Sequence, residues 1–450
     1  MLNHRLIKRI ERALKLSTLE GMAYGGVQGT GEHFANPYAV ALGASNTQLA
    51  VLASGSSFLG SLAQSVAPAL VRLMGSRKRV VVLFAWISGL LWLPVIGVGY
   101  LTGGNVVPWL IACLALYAVV SAVVSPAWSS IMAQVVPDHI RGRYFGHRSR
   151  WSTLANMLSF LVAGGLLYLL RDRGLLGFAL VFGMAFIFRM VSFGLLTTLE
   201  ELPTGAKGDQ RDGLSAFLRQ LWSTNLGKVM LYLFSVNFVV NLAGPFFVPY
   251  MLRNLHMNYL VFTILEMASI LAALWSVTHW GAAADRAGNR RMLRLAGVLI
   301  GLVPLLWLIS TNTVYLGFAQ FYSGLAWAGF NLVATNFIYD ATTQRNRTTF
   351  LAYFSAGSAV ATSLGALAGG LLIGHLPLFM GSAILTMFLV SGILRLVVAG
   401  LFLPRINEVR RVSTIPSVEV FHIMLGGRVV HRPAALGRIH HHFHWRREEP

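Results

Sequence analysis

Twelve long apolar segments, separated by short polar loops, decide what this chain can fold into. A helix of roughly 20 apolar residues is long enough to cross the hydrocarbon core of a lipid bilayer. The chain is 55% hydrophobic and 12% charged, with a mean hydropathy of +0.63, which is too apolar for a soluble globular protein. We therefore predict an all-α integral membrane protein. Its twelve predicted transmembrane helices cover residues 18–43, 46–74, 80–101, 107–135, 151–170, 175–199, 226–252, 257–281, 292–310, 313–338, 350–374 and 378–403.

The positive charge of the chain is distributed unevenly between the two sides of this bundle. The 450 residues include 36 Lys and Arg against 16 Asp and Glu, a formal net charge of +20. In a soluble chain such an excess would suggest nucleic-acid binding. Here Arg171, Arg173 and Arg253 are assigned to one side, Arg189 and Arg395 lie inside spans, and the other basic residues fall in the termini and loops of the opposite side. This bias predicts a multi-pass protein of the inner (cytoplasmic) membrane, with both termini cytoplasmic and no nucleic-acid partner.

Five regions follow from the pattern of spans. Residues 1–17 place Leu and Ile at helical spacing among Lys and Arg, so we predict an amphipathic helix lying on anionic lipid at the cytoplasmic face. Residues 18–199 and 225–403 contain six spans each. Residues 200–224 form a polar cytoplasmic linker rich in breakers, and residues 404–450 form a basic cytoplasmic tail.

Internal repetition supports the division into two halves. Phe34, Pro37 and Tyr38 of the first span match Phe246, Pro249 and Tyr250 of the seventh, in the same order and spacing. The sixth span reads RMVSFGLL and the twelfth RLVVAGLF, with Arg, Val and Gly in register. Two parallel, pseudo-symmetric six-helix repeats around a midplane site are therefore the predicted architecture.

Several kinds of chemistry are not expected from this sequence. The lone Cys113 excludes an intramolecular disulfide and a cysteine metal cluster. There is no phosphate-cradling G-x-x-x-x-G-K-[ST] motif, and no nucleophile with a matching base stands on the spans. The His cluster of the tail is irregular, as incidental His tracts are. We expect no enzyme activity, no cofactor and no metal site.

A short polar stretch between the eighth and ninth spans carries a recognisable motif. The sequence from Trp280 to Arg294 is WGAAADRAGNRRMLR. It resembles the G-x-x-x-D-R-x-G-R-R cytoplasmic loop motif of the major facilitator superfamily of membrane transporters. The matching residues are Gly281, Asp285, Arg286, Gly288, Arg290 and Arg291. The resemblance implies the fold of twelve helices in two halves, and motif residues that contact helix ends across the halves and bias the outward-facing state.

Two other loops extend this resemblance. Residues 68–78, PALVRLMGSRK, form a worn first-half copy that keeps Gly75 but has Arg72 in place of the acidic residue. After the fourth span, Arg141 and Arg143 belong to an R-G-R-x-x-G sequence similar to that of many uncharacterised bacterial permeases of the superfamily. The fifth span lacks the glycine-proline motif of a drug-antiporter subgroup, which disfavours that assignment.

Two acidic residues inside spans are the sharpest functional candidates, because an ionisable group in the membrane is costly unless it faces protein or water. Glu32 lies near the middle of the first span and shares a helical face with Gln28 and Asn36. It is either a carboxylate that couples protons or binds substrate, or a buried structural carboxylate. Glu266, about nine residues from the outer end of the eighth span, is the second candidate.

Polar stripes on three further spans complete the candidate cavity, although hydrogen bonding between helices would explain each residue equally well. These residues are Tyr117, Ser121 and Ser125 of the fourth span, Asn237 and Asn241 of the seventh, and Gln320, Ser323, Trp327 and Asn331 of the tenth. Arg189 and Arg395 occupy equivalent places in the two repeats, which favours a role in the scaffold.

The predicted function is secondary active transport of a small solute by alternating access, with proton or sodium coupling open and a monomer expected. A non-transporting membrane sensor or assembly factor on the same scaffold is the alternative. The amide, hydroxyl and carboxylate groups of the stripes would suit polar organic or cationic amphipathic solutes. Phosphate esters would require cationic side chains that face the cavity from within the membrane.

Overall fold

The structure is a computed structural model that describes residues 4–101, 105–137, 140–199, 221, 224–342 and 347–409. Most of the predicted linker and the tail beyond residue 409 lie outside the described residues. In the described ranges the chain forms a bundle of twelve helical segments. Nine of these are long and apolar enough to cross a membrane, and α1, α9 and α10 are the other three.

The twelve helices follow one another as the sequence predicts. In the first half they are α1 (His4–Val27, Gln28–Glu32 and His33–Ala41), α2 (Asn46–Met74), α3 (Arg77–Leu90 and Trp92–Val98), α4 (Val107–Val135), α5 (Arg141–Leu169) and α6 (Leu176–Thr197). In the second half they are α7 (Asn225–Ala243, Gly244–Phe246, Phe247–Pro249 and Tyr250–Asn254), α8 (Tyr259–Ala287), α9 (Asn289–Leu306), α10 (Thr313–Ala341), α11 (Arg347–Leu372) and α12 (Ala383–Phe402).

Local sequence explains where several helices begin and end. Ser45 caps α2 by accepting a hydrogen bond from the backbone of Gln48, whose side chain in turn accepts one from the Ser45 backbone. Gly75 ends α2 with φ of 67°, and Gly288 separates α8 from α9 with φ of 84° and ψ of 153°. These conformations favour glycine because it has no Cβ. The glycines of the two motif loops thus occupy equivalent turns in the two halves.

The observed helices differ from the predicted spans at two places. From His4 onward the predicted interfacial segment is continuous with the first span, and α1 runs to Val27 with Gly21, Gly25 and Gly26 inside it. The motif stretch is also not a loop: α8 continues to Ala287, so Gly281, Asp285 and Arg286 are helical and only Gly288 interrupts the chain. Its residues other than Gly288 are compatible with a helix, which hydropathy alone does not reveal.

Among the described residues, the hydrophobic core that both halves share lies at one end of the bundle. The linker side is the end where α6 ends and α7 begins, and the other end is the far side. On the far side one core contains residues of both halves, with Phe262 of α8 packing against Phe34 and Phe160 at ring distances of 6.4 and 6.3 Å. On the linker side, the described residues form separate cores in the first half and the second half. The bundle is therefore closed on the far side and divided on the linker side.

Polar contacts reinforce the far-side closure. The Thr47 hydroxyl of α2 donates to the Gly370 carbonyl of α11 at 3.0 Å, and Ser363 donates to the Ser54 carbonyl at 3.0 Å. Arg253, near the end of α7, donates to two carbonyls at the end of α1. Each of these hydrogen bonds joins one half to the other.

Candidate functional site

Glu32 lies at a break in the regular winding of α1. Residues Gln28–Glu32 form a π-helical turn, where the backbone widens between two α-helical pieces. The glycines that precede and fill this turn pack on α5: a Cβ at Gly25 or Gly29 would clash with the backbone carbonyls of Ser152 or Asn156. The turn presents Glu32, which is exposed, toward a cavity between helices.

Two phenols hold the Glu32 carboxylate. The Tyr117 hydroxyl of α4 donates to Glu32 Oε1 at 2.9 Å, and the Tyr24 hydroxyl donates to the same oxygen at 3.1 Å. Both phenols donate to the same carboxyl oxygen, which leaves the second oxygen available to the cavity. The sequence placed Glu32 and Tyr117 in the site separately, and the structure brings them into contact.

Three adjoining cavities surround this contact. The Glu32 cavity, of about 370 Å³, is lined by Glu32, Ala35, Asn36, Leu52, Ala53, Ser56, Ser57, Trp92, Leu114, Tyr117, Ala118 and Ser121. The interface cavity, of about 390 Å³, shares Ser121 with it and reaches Ser125 of α4 and Ser355 of α11. Because α11 belongs to the second half, this cavity lies between the halves. Gln28 is half-buried in the π turn and does not line these cavities.

The third cavity, the Arg189 cavity, contains a cluster of charges that the sequence analysis did not assign to the site. It has a volume of about 210 Å³ and is lined by Glu20, Tyr24, Ser121, Val124, Ser125, Trp128, Arg148 and Arg189. Glu20 Oε2 forms a salt bridge of 2.8 Å with Arg148, and Glu20 Oε1 accepts a hydrogen bond from Ser192 at 3.0 Å. The place of Glu20 in the site could have been read from the sequence, since polar residues recur at every fourth position from 20 to 36.

The polar residues of the second half lie in separate places. Gln320 donates to Glu266 Oε1 at 2.7 Å, so the second acidic candidate is paired with one of the predicted cavity residues of α10. Trp327 and Asn331 line a groove of about 590 Å³ between α8 and α10. Ser323 is buried in α10.

Asn237 and Asn241 act mainly within and beside α7. The Asn241 amide donates to the Asn237 carbonyl at 2.8 Å, and it also lies 3.4 Å from the Thr362 hydroxyl of α11. These bonds satisfy backbone and side-chain groups just before the irregular turn at Gly244–Phe246. Hydrogen bonding between helices thus accounts for their observed contacts.

The paired arginines of the repeats differ in their surroundings. Arg395 donates to the Ile300 carbonyl at 3.0 Å and the Val240 carbonyl at 3.3 Å, and thereby ties α12 to α9 and α7. Arg189 instead donates to the hydroxyls of Ser88 and Ser192 and lines a cavity. A scaffold role fits the contacts of Arg395, whereas Arg189 belongs to the polar site.

The motif residues organise the linker side of each half. The Arg290 backbone N–H donates to the Glu408 carboxylate at 2.7 Å, which places a negative charge at the start of α9. Asn289 donates to Asp340 of α10 at 2.6 Å. In the first half, Arg141 donates to the Ala133 and Val136 carbonyls and satisfies the end of α4. Arg143 is exposed.

The fold and the interhelical cavity define a polytopic membrane protein built to surround a small solute. The sequence matches the family model of the Major Facilitator Superfamily over residues 33–277 and 229–437. The chain therefore belongs to the Major Facilitator Superfamily, and it is a transporter rather than an enzyme.

Individual relatives are more distant. Multidrug resistance protein 2 of Bacillus subtilis (strain 168) is 25% identical over 171 residues, which are 37% of this chain and 43% of that protein. The match thus spans less than half of that relative's length.

In the region of the chain that the structure describes, no group of three or more His, Cys, Asp or Glu is arranged to hold a metal ion.

Solved structures share the fold. The D-xylose-proton symporter superposes with a TM-score of 0.66 at 14% identity and covers 89% of this chain and 99% of its own. A bacterial homologue of the human lysosomal transporter Spinster, in an inward-facing and unoccupied conformation, has a TM-score of 0.62 at 15% identity and covers 96% and 100%. The nucleoside transporter NupG has a TM-score of 0.62 at 14% identity and covers 88% and 98%. At these identities the likeness establishes the fold and not the solute.

Proposed function

We propose that this protein moves a small polar organic solute across the cytoplasmic membrane by alternating access. The observation that carries the proposal is the asymmetry of the bundle, which is closed on the far side by a core shared between the halves and divided on the linker side. A polar cavity at the interface of two packed halves is what a carrier needs if the halves are to rock about a bound solute.

The positive-inside bias supports a cytoplasmic location for the linker side, and we infer on that basis that this conformation is inward-facing. The far-side contacts between the halves consist of a shared hydrophobic core and a small set of hydrogen bonds. They can be exchanged for equivalent linker-side contacts in a second state without changing the packing inside either half. The Asp285 and Arg290 region then acts as a conformational element in that second state.

Glu32 is the residue we assign to coupling. It faces the cavity near the middle of the membrane, and two phenols donate to one of its oxygens. A carboxylate that is exposed first to one side and then to the other can take up and release a proton as the halves rock. The wide π turn beneath it allows the side chain to reach the cavity while α1 keeps packing against α5.

Proteoliposomes test this proposal directly. Glu32→Gln preserves size and most hydrogen bonding but cannot ionise, so it should abolish accumulation driven by a pH gradient and leave passive exchange of the solute. Asp172→Asn, an isosteric change at a far-side carboxylate that is 87% exposed, is the matched control and should transport as the wild type does. Unchanged pH-driven accumulation by Glu32→Gln would reject the coupling role. Absence of transport for every solute that binds would favour a sensor.

A further inference from the structure

The Arg189 cavity holds a positive charge that no carboxylate of the described residues neutralises directly. Arg189 is only 1% exposed, and its guanidinium donates to Ser88 at 2.8 Å and Ser192 at 3.4 Å, both neutral hydroxyls. Its remaining close partner is the face of the Tyr24 ring, 5.1 Å away. Arg189 lies eight residues from the linker-side end of α6, about 12 Å along the helix. A buried cation at such depth is costly unless an anion meets it.

The only carboxylate that lines this cavity, Glu20, is paired with a second guanidinium, that of Arg148. Arg148 pairs with Glu20 at 2.8 Å, donates to the Ser17 carbonyl at 3.0 Å, and lies 4.2 Å from the centre of the Trp128 ring. Glu20 reaches Arg189 only through the Ser192 hydroxyl, which donates to it at 3.0 Å. The lining therefore carries two positive charges and one negative charge.

The other polar groups in the lining are uncharged and can donate hydrogen bonds. The indole N–H of Trp128 is buried without a hydrogen-bond partner among the described residues. Ser125 is exposed, and its hydroxyl can turn toward a ligand. Glu32 is the next carboxylate after Glu20 toward the far side of α1. It lines a different cavity and is already held by two phenols.

We propose that the Arg189 cavity binds the carboxylate group of a small organic monocarboxylate, which is the class of solute that this transporter carries. A guanidinium presents parallel N–H donors that match the two oxygens of a carboxylate. The single excess positive charge suits a monoanion, whereas a dianionic phosphate ester would leave one negative charge unmatched in a low-dielectric site.

The geometry leaves room for the rest of such a solute. The Arg189 cavity shares Tyr24, Ser121 and Ser125 with the interface cavity, so a bound carboxylate can extend its body between the halves. Tyr24 connects the two sites, because its hydroxyl donates to Glu32 while its ring faces Arg189. The sequence-based expectation of polar or cationic solutes changes accordingly, since the structure supplies the cationic side chain in the cavity that an anionic solute requires. This inference rests on the transport function proposed above.

A binding panel on the purified full-length protein tests the assignment. Propionate, lactate and benzoate are each compared with their primary amides by thermal shift and calorimetry at constant ionic strength. At least one carboxylate should stabilise the protein while its amide does not. A panel in which no carboxylate binds, or in which the amides bind as well, would overturn the proposal.

Variants separate binding from stability. Arg189→Gln should weaken binding of the carboxylate at least about tenfold, because a charge-assisted pair is lost, and Arg189→Lys should retain part of the affinity. Trp128→Phe removes the indole N–H without changing charge and should weaken binding by a smaller factor. Arg395→Gln, the equivalent arginine of the second half, should lower thermal stability and leave the affinity unchanged.

Glu20→Gln gives a result that a purely structural cluster would not produce. With the carboxylate gone, the excess charge rises, so succinate should gain affinity relative to propionate. Retained carboxylate affinity in Arg189→Gln, or a Glu20→Gln variant that merely loses stability, would contradict the proposal. Uptake of a neutral solute by proteoliposomes, without carboxylate binding, would reject this inference and keep the transport function. Carboxylate binding without any uptake would reject the transport function and keep the binding site.

Discussion

Arg253 is the residue whose removal should open the far side. It lies near the end of α7 in the second half, and its guanidinium donates to the Val40 carbonyl at 3.2 Å and to the Ala44 carbonyl at the end of the first helix. The Val40 carbonyl also accepts from the Gly43 backbone N–H, so the Arg253 guanidinium adds a second, charge-assisted donor there and supplies a donor to Ala44 just after α1 ends. The contact exists only while the halves are closed on the far side.

The size of the effect follows from these two bonds. Hydrogen bonds to charged groups contribute about 1.5–3 kcal/mol each when buried. Arg253 is only half-buried and the freed carbonyls regain water, so the net loss should be about 1–2 kcal/mol for the pair. This corresponds to a roughly 5- to 30-fold shift of the conformational equilibrium toward the state that is open on the far side.

Distances between spin labels can measure this shift. With Cys113→Ser as background, one label pair at Tyr100 and Leu378 reports the far side, and a second pair at Ser149 and Ala282 reports the linker side; all four positions are exposed. In Arg253→Gln the far-side distances should lengthen and the linker-side distances should shorten, in matching proportions.

The matched control is Arg173→Gln, at a far-side arginine that is exposed. It should leave both distance distributions unchanged. If Arg253→Gln also leaves them unchanged while the protein remains folded, the closure of the far side does not depend on this contact and the reasoning is refuted.

Three further predictions concern the packing and the motif. Gly164→Ala places a methyl group against Thr263 across the halves and should favour the far-side-open state, whereas Gly324→Ala clashes with backbone inside the second half and should mainly lower Tm. Gly288→Ala forces a side chain into a conformation that costs about 1–3 kcal/mol, and calorimetry should show a lower Tm. Asp285→Asn should change turnover with little change in ligand affinity; a large affinity loss with intact turnover would contradict a conformational role.

The fold could be predicted from the sequence because hydropathy and helix length act on every span in the same way. The order of the helices and the two halves required only the apolar segments and the internal repeats. The continuity of α1 across the predicted boundary at residue 17 could not be read from the sequence, because Leu and Lys favour a helix whether it lies on a membrane or enters it. The helical state of Asp285 was missed for the same reason.

The site was predictable only where one helical face carries it. Glu32, Asn36, Tyr117 and Ser121 are spaced at whole turns and line one cavity. The partnership of Glu20 with Arg148 was missed, since the two residues are 128 positions apart and meet through the packing of α5 against α1. The π turn that presents Glu32 lies where Gly25 and Gly29 contact α5, and periodicity does not reveal it.

Alternating access is tested most directly by measuring solute counterflow with a protein whose far side can be held closed by a disulfide. In a Cys113→Ser background, Ser54→Cys and Ser363→Cys lie across from each other in the two halves on the far side, where the Ser363 hydroxyl donates to the Ser54 carbonyl at 3.0 Å, and their disulfide should hold that side closed. Proteoliposomes are loaded with an unlabelled solute that binds the protein. They should transiently concentrate the labelled solute while the cysteine pair is reduced. They should lose this overshoot on oxidation and regain it with reductant. Equal counterflow by the oxidised, cross-linked protein, or no overshoot with any binding solute, would contradict the account.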